Sequence, residues 1–142
     1  MGSLKNNFII KHGYLIPICG AIVVFIAILF VPIISLFGIS PLKLSEVMPM
    51  FLVGLWNILP YLILALLMKR FSKYVAPTIG LLVVSTLIVL TGVWSLLDTI
   101  YIHADAQGDL TLILFPIFLL VGVSFAGLAC ICIRFLTKKS TD

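Results

Sequence analysis

Four long apolar runs divide the chain, and polar or charged residues bound each of them. The first extends from Tyr14 to Gly38, the second from Val47 to Met68, the third from Val75 to Leu97 and the fourth from Leu110 to Ile133. A helix needs roughly 20 apolar residues to cross the hydrocarbon core of a bilayer, and every run meets that length. The pattern predicts an all-α integral membrane protein, a four-helix bundle of two helical hairpins, with residues 1–142 forming a single membrane domain.

Local signals sharpen the boundaries. Pro17 and Pro77 suit the first turns of spans one and three, where no amide partner is lost. Pro32 sits towards the far end of span one. Ser40-Pro41 reads as an N-cap and first helical residue, opening a short interfacial lead-in, Leu42 to Glu46. Pro49 and Pro60 fall in span two, and Pro60 is expected to bend it by removing one backbone hydrogen bond and crowding the preceding turn. Asp109 reads as the N-cap of span four, with Pro116 soon after it. This leaves external loops at 39–46 and 98–109 and a basic loop at 69–74. A basic start before an apolar run also describes a signal peptide. Span one is too long for one, and Ser35-Leu36-Phe37-Gly38 is a poor cleavage site, so the span is expected to be retained.

Composition closes off the soluble alternatives. Hydrophobic residues make up 63% of 142, and the mean hydropathy is +1.33. A water-soluble domain of this size has too little interior to hide so much apolar surface. The net charge of +4 does not point to nucleic acid, because the cations flank the ends of apolar runs. Eight of the nine Lys and Arg residues lie in the N-terminal segment, the 69–74 loop and the C-terminal tail, and Lys43 alone lies with the acids Glu46, Asp98, Asp105 and Asp109. The positive-inside rule then places both termini in the cytoplasm. Cys19, Cys130 and Cys132 fall inside apolar runs, without disulfide or zinc spacing. Pro17-x-x-Gly20 and Pro77-x-x-Gly80 begin similar stretches sixty residues apart, which would suit a parallel duplication of hairpins.

In lipid, small and polar residues bring helices together. Span two carries Gly54, Asn57, Tyr61 and Ala65 along one face. Span three carries Thr78, Ser85, Gly92 and Thr99 at seven-residue spacing. Span four carries Gly122, Ala126 and Cys130, with Gly127 and Ala129 beside them. All three faces are expected to turn inward.

Asn57 is the most polar residue near the middle of any span. With Tyr61 and the carbonyl freed by Pro60 it could form a ligand or ion site. The simpler expectation, an interhelical hydrogen bond, takes precedence. No span carries a central Asp, Glu, Lys, Arg or His of the kind that proton-coupled transporters titrate. The small multidrug-resistance transporters share the size and helix number but depend on a carboxylate in their first helix, which span one lacks. Asp98, His103 and Asp105, with Asp109, form the only loop cluster of residue types suited to a metal or to acid–base work, and their spacing matches no defined motif. No cofactor or metal is expected.

The segment from Asp105 to Ile117, Asp-Ala-Gln-Gly-Asp followed by an apolar helix with an early proline, resembles a stretch of small uncharacterised bacterial four-helix inner-membrane proteins. That resemblance implies a bacterial inner-membrane setting. The expected role is non-enzymatic: contacts with another membrane protein or with itself in the bilayer, as an accessory subunit or immunity-type protein. A small transporter or channel around Asn57 and Tyr61 is the first alternative, and a membrane enzyme using His103 and the nearby aspartates is the second.

Overall fold

A computed structural model shows an all-helical chain. The structure describes residues 11–37, 44–99 and 106–139. The helices are α1 (Leu15–Phe37), α2 (Leu44–Phe71), α3 (Val75–Leu97) and α4 (Ala106–Lys139). Three of them hold stretches long and apolar enough to cross a membrane: Phe51–Phe71, Val75–Leu97 and Leu110–Leu136. In α1 the stretch Leu15–Phe30 is apolar as well.

Helix ends depart from the sequence expectation where charge favours extension. Lys69 and Arg70 belong to the last turn of α2, where cations suit the negative end of the helix dipole. The basic loop thereby shrinks to Ser72–Tyr74. At its other end α2 absorbs part of the interfacial lead-in. α4 starts at Ala106, so Asp109 lies inside its first turn and is not its N-cap; an acid there still suits the positive end of the dipole. α3 ends at Leu97 as expected, and Asp98 and Thr99 continue it as a wider π-helical turn.

The short α2–α3 connection is tied by its own hydrogen bonds. The Tyr74 N–H donates to the Phe71 carbonyl at 2.8 Å, and the Ser72 hydroxyl donates to the Lys69 carbonyl at 2.8 Å. The Thr78 hydroxyl reaches the Phe71 carbonyl at 2.8 Å and the Tyr74 carbonyl at 2.7 Å, sharing its one proton between them. Thr78 therefore fastens the first turn of α3 to the end of α2.

α2 and α3 form the central pair. They touch each other, and α1 and α4 each pack against both. Tyr61, only 1% exposed, stands at the middle of this contact. Its ring lies against the two glycines that let α1 and α3 approach. A Cβ on Gly92 would collide with the Tyr61 hydroxyl, and one on Gly20 would sit 2.6 Å from Val89 Cγ2 and 3.3 Å from the Tyr61 ring. Val24, Leu64, Met68, Leu81 and Val123 complete the core.

Burial runs opposite to that of a soluble protein. Asn57, Thr78, Ser85 and Thr99 are buried, whereas Ile26, Leu66, Leu90, Phe118, Phe125 and Phe135 are among the large apolar side chains left exposed. All four members of the α2 stripe and all four of the α3 stripe are buried. The α4 stripe differs. Cys130 is buried and Ala126 half-buried, but Gly122 is exposed and a Cβ there would meet nothing within 4 Å. Successive four-residue steps drift about 40° around a helix, which carries Gly122 off the contact. Pro116, Leu119, Val123 and Gly127 fill the inward face, Gly127 against Leu67, and Ala129 faces out. The proposed hairpin equivalence is also uneven: Pro17 and Pro77 are both buried, but Gly20 is tightly packed and Gly80 has open space.

Replacing Gly92 by Ala should destabilise the purified protein by about 1–3 kcal/mol through overpacking, read as a lower midpoint in thermal or denaturant unfolding. Tyr61→Phe should recover part of that loss. Gly122→Ala should leave stability unchanged or raise it by up to about 1 kcal/mol, because it removes a helix-interior glycine without a clash.

Candidate functional site: a polar crevice at a proline break

An α-helical N–H bonds to the carbonyl four residues earlier. Pro116 has no N–H, so the Leu112 carbonyl of α4 loses its helical donor. α2 supplies a replacement. The Asn57 amide donates from Nδ2 to the Leu112 carbonyl at 3.0 Å and to the Val53 carbonyl of its own helix at 2.9 Å. One turn position away, the Trp56 indole N–H donates to the Ile113 carbonyl at 2.9 Å. Two consecutive side chains of α2 thus dock on two consecutive carbonyls of α4 at its proline.

Beside this contact lies a crevice of about 10 Å³, lined by Asn57, Ser95, Leu96, Thr99, Thr111, Leu112 and Phe115. It lies where the end of α3 meets the beginning of α4. Its volume admits about one water molecule. Thr99 and Ser95 come from the last turns of α3, so the small-polar stripe read from the sequence ends in the crevice wall. The Asn57 amide oxygen takes part in neither of the two bonds and is the acceptor that a bound water would meet.

The sequence expectation grouped Asn57 with Tyr61. The structure separates their roles. Asn57 lines the crevice, whereas Tyr61, one turn further along α2, fills the gap between Gly20 and Gly92. The missed partners are Trp56 and the Leu112 and Ile113 carbonyls. Backbone acceptors carry no residue signature, but a proline four residues downstream marks Leu112 as orphaned. Asp98 is half-buried in the turn that follows α3. His103 and Asp105 lie outside the described residues. Among the described residues no cluster of His, Cys, Asp or Glu could hold a metal ion. Cys130 is buried and Cys132 exposed, on different faces as their spacing requires; Cys130 Sγ lies 3.8 Å from the Pro77 carbonyl.

No protein-family model, no curated protein and no solved structure matches the chain. Fold and site together therefore define a class and no family: an all-helical protein with, among the described residues, three helices long and apolar enough to cross a membrane.

Asn57→Leu should destabilise the protein by about 0.6–2 kcal/mol, the range of an interhelical hydrogen bond in a membrane protein. The loss should shrink in a Pro116→Ala background, because residue 116 then has an N–H for the Leu112 carbonyl. A double-mutant cycle on unfolding free energies reads that coupling directly. Strict additivity would show that Asn57 does not act through the proline break.

Proposed function

We propose that the chain is a four-span membrane bundle with both termini on the cytoplasmic side of a bacterial inner membrane, and that it acts without catalysis, through contacts with another membrane protein. The observation that carries this reading is the uneven use of its helices. Within their spans 39% of α2 is buried but only 17% of α4, so α4 offers most of its length to whatever surrounds it. Its outer side mixes large residues, Phe118 and Phe125, with the small Gly122 and Ala129. That combination lets a neighbouring helix approach closely.

Aromatic placement supports the embedding. Tyr14 and Tyr74 lie at the end where α1 and α3 begin, and Trp94, 70% exposed, lies near the opposite end of α3. Interfacial belts of Trp and Tyr have this arrangement. The transporter alternative draws on the polar crevice. Its Asn57 donor is already committed to backbone carbonyls, and its volume suits a water molecule better than a solute.

Site-specific crosslinkers at Phe118, Gly122 and Phe125 should give discrete adducts in native membranes, and Gly122→Leu should abolish them. Probes at Ile22 and Ile26 on α1 serve as comparison. Adducts missing from all of the α4 positions would sink the contact reading. Solute or ion flux in reconstituted vesicles that disappears on Asn57→Leu would establish the transporter instead. Cysteine labelling that found the two termini on opposite faces of the bilayer would overturn the topology.

A further inference from the structure

Cations from three separate stretches of chain meet at one end of the helices. The register shows it. Gly20 of α1 packs beside Tyr61, and Gly54 packs beside Phe25, so α1 and α2 run antiparallel and Lys11 comes level with Lys69 and Arg70. Lys73 follows in the three-residue turn. α4 reaches the same turn: its Arg134 guanidinium lies 4.9 Å from the centroid of the Tyr74 ring, one turn beyond the contact of Cys130 with Pro77. A cation over an aromatic face is held in place at modest energy, so Arg134 is held at the α2–α3 turn. Lys11, Lys69, Arg70 and Lys73 are all exposed. Asp98, the acidic residue whose side chain is described, lies at the other end of the 23-residue α3, about 35 Å away. No acid stands in the first turn of α3, and the positive end of that helix offsets the negative end of α2 in the same turn.

We propose that this end is a binding site for a polyanionic phospholipid headgroup, with Lys69, Arg70, Lys73 and Arg134 as its phosphate ligands and Lys11 at its edge. Charge complementarity selects the occupant. The cations surround the α2–α3 turn at the depth where Tyr14 and Tyr74 mark the edge of the apolar zone, which is where lipid phosphates lie. Basic pockets between helices on the cytoplasmic side hold headgroups of this kind. Arginine offers a planar fork to phosphate and lysine a point charge, so a lipid with two phosphates would engage more of the set than one phosphate would. The zwitterionic headgroup of phosphatidylcholine carries its own cation and should gain little.

This inference rests on the membrane reading proposed above, and the two are tested separately. Retention of the protein in phosphatidylcholine vesicles after an alkaline wash tests the embedding alone. Headgroup binding is then read by native mass spectrometry of the detergent-solubilised full chain with cardiolipin, with phosphatidylcholine and with inorganic phosphate. Cardiolipin adducts should survive activation that strips phosphatidylcholine. In K69Q/R70Q/K73Q/R134Q the apparent affinity should fall, about 5-fold for each cation removed, the equivalent of about 1 kcal/mol. The charge-conserving K69R/K73R should keep it, and an unchanged melting temperature without lipid shows that either variant is folded. Equal cardiolipin binding by the glutamine variant would overturn the site. Comparable binding of inorganic phosphate would replace the lipid with a free anion, and that outcome would also overturn the proposal.

Discussion

A backbone carbonyl without a donor is expensive wherever water is excluded, and in hydrocarbon each such group costs several kcal/mol. Proline makes them unavoidable. α2 contains Pro49 and Pro60, and α4 contains Pro116. At Pro116 the orphaned carbonyl is answered from outside the helix, by Asn57 of α2. This one exchange fixes much else. It sets the register of α2 against α4, brings Trp56 onto the neighbouring carbonyl, and leaves Asn57 as one wall of the polar crevice. A break in one helix has become the attachment point for another.

The rest of the packing follows from steric permission. Tyr61 is a large side chain in the middle of the structure, and it is accommodated because Gly20 and Gly92 remove the methyl groups it would strike. The tie at the opposite end is of another kind, with Arg134 over Tyr74 and the Thr78 hydroxyl bridging the α2–α3 turn. α4 is consequently anchored near both ends by directional contacts while its length is only thinly buried. Hydroxyls on exposed faces are handled locally: Thr86 and Ser124 each donate to the carbonyl four residues back. Ser85, fully buried, has no hydrogen-bond partner, and nothing in its surroundings explains why.

How far this was legible in the sequence differs from helix to helix, for a physical reason. In α2 the small and polar residues are scarce and fall on one side, and in α3 the seven-residue spacing separates the contact face from the exposed Ala76, Gly80, Thr86 and Thr91. Gly54, Asn57, Tyr61 and Ala65, and Thr78, Ser85, Gly92 and Thr99, are all buried. α4 carries small residues on several sides: Gly122, Ala126, Gly127, Ala129 and Cys130. Large apolar residues also take its inward positions, since Leu119 and Val123 pack on the core as readily as they would face lipid. Apolarity does not distinguish the two environments, so the four-residue spacing of Gly122, Ala126 and Cys130, with Gly127 and Ala129 beside it, does not separate the buried Gly127 from the exposed Gly122 and Ala129. The candidate site was legible by half. An asparagine in an apolar run announces a polar contact, but its acceptor is a main-chain oxygen and becomes visible only through the proline that frees it.

The same chemistry bears on whether Asn57 belongs to a pathway or to a joint. A transport site must exchange its partners for a solute during each cycle. Here the amide would have to release two carbonyls, one of them with no helical donor to return to. An unmet hydrogen bond of that kind costs about 1–3 kcal/mol even in ordinary protein interiors, and the solute would have to compensate for it inside a space that now admits one water. A joint has no such requirement, since the bonds that define the site are the ones that hold it. The outer face of α4 carries no comparable commitment. Its exposed Gly122 has open space around it, and a helix-interior glycine with nothing packed against it costs about 1 kcal/mol relative to alanine. Close approach by a helix from outside the chain is the arrangement in which that glycine would have a use.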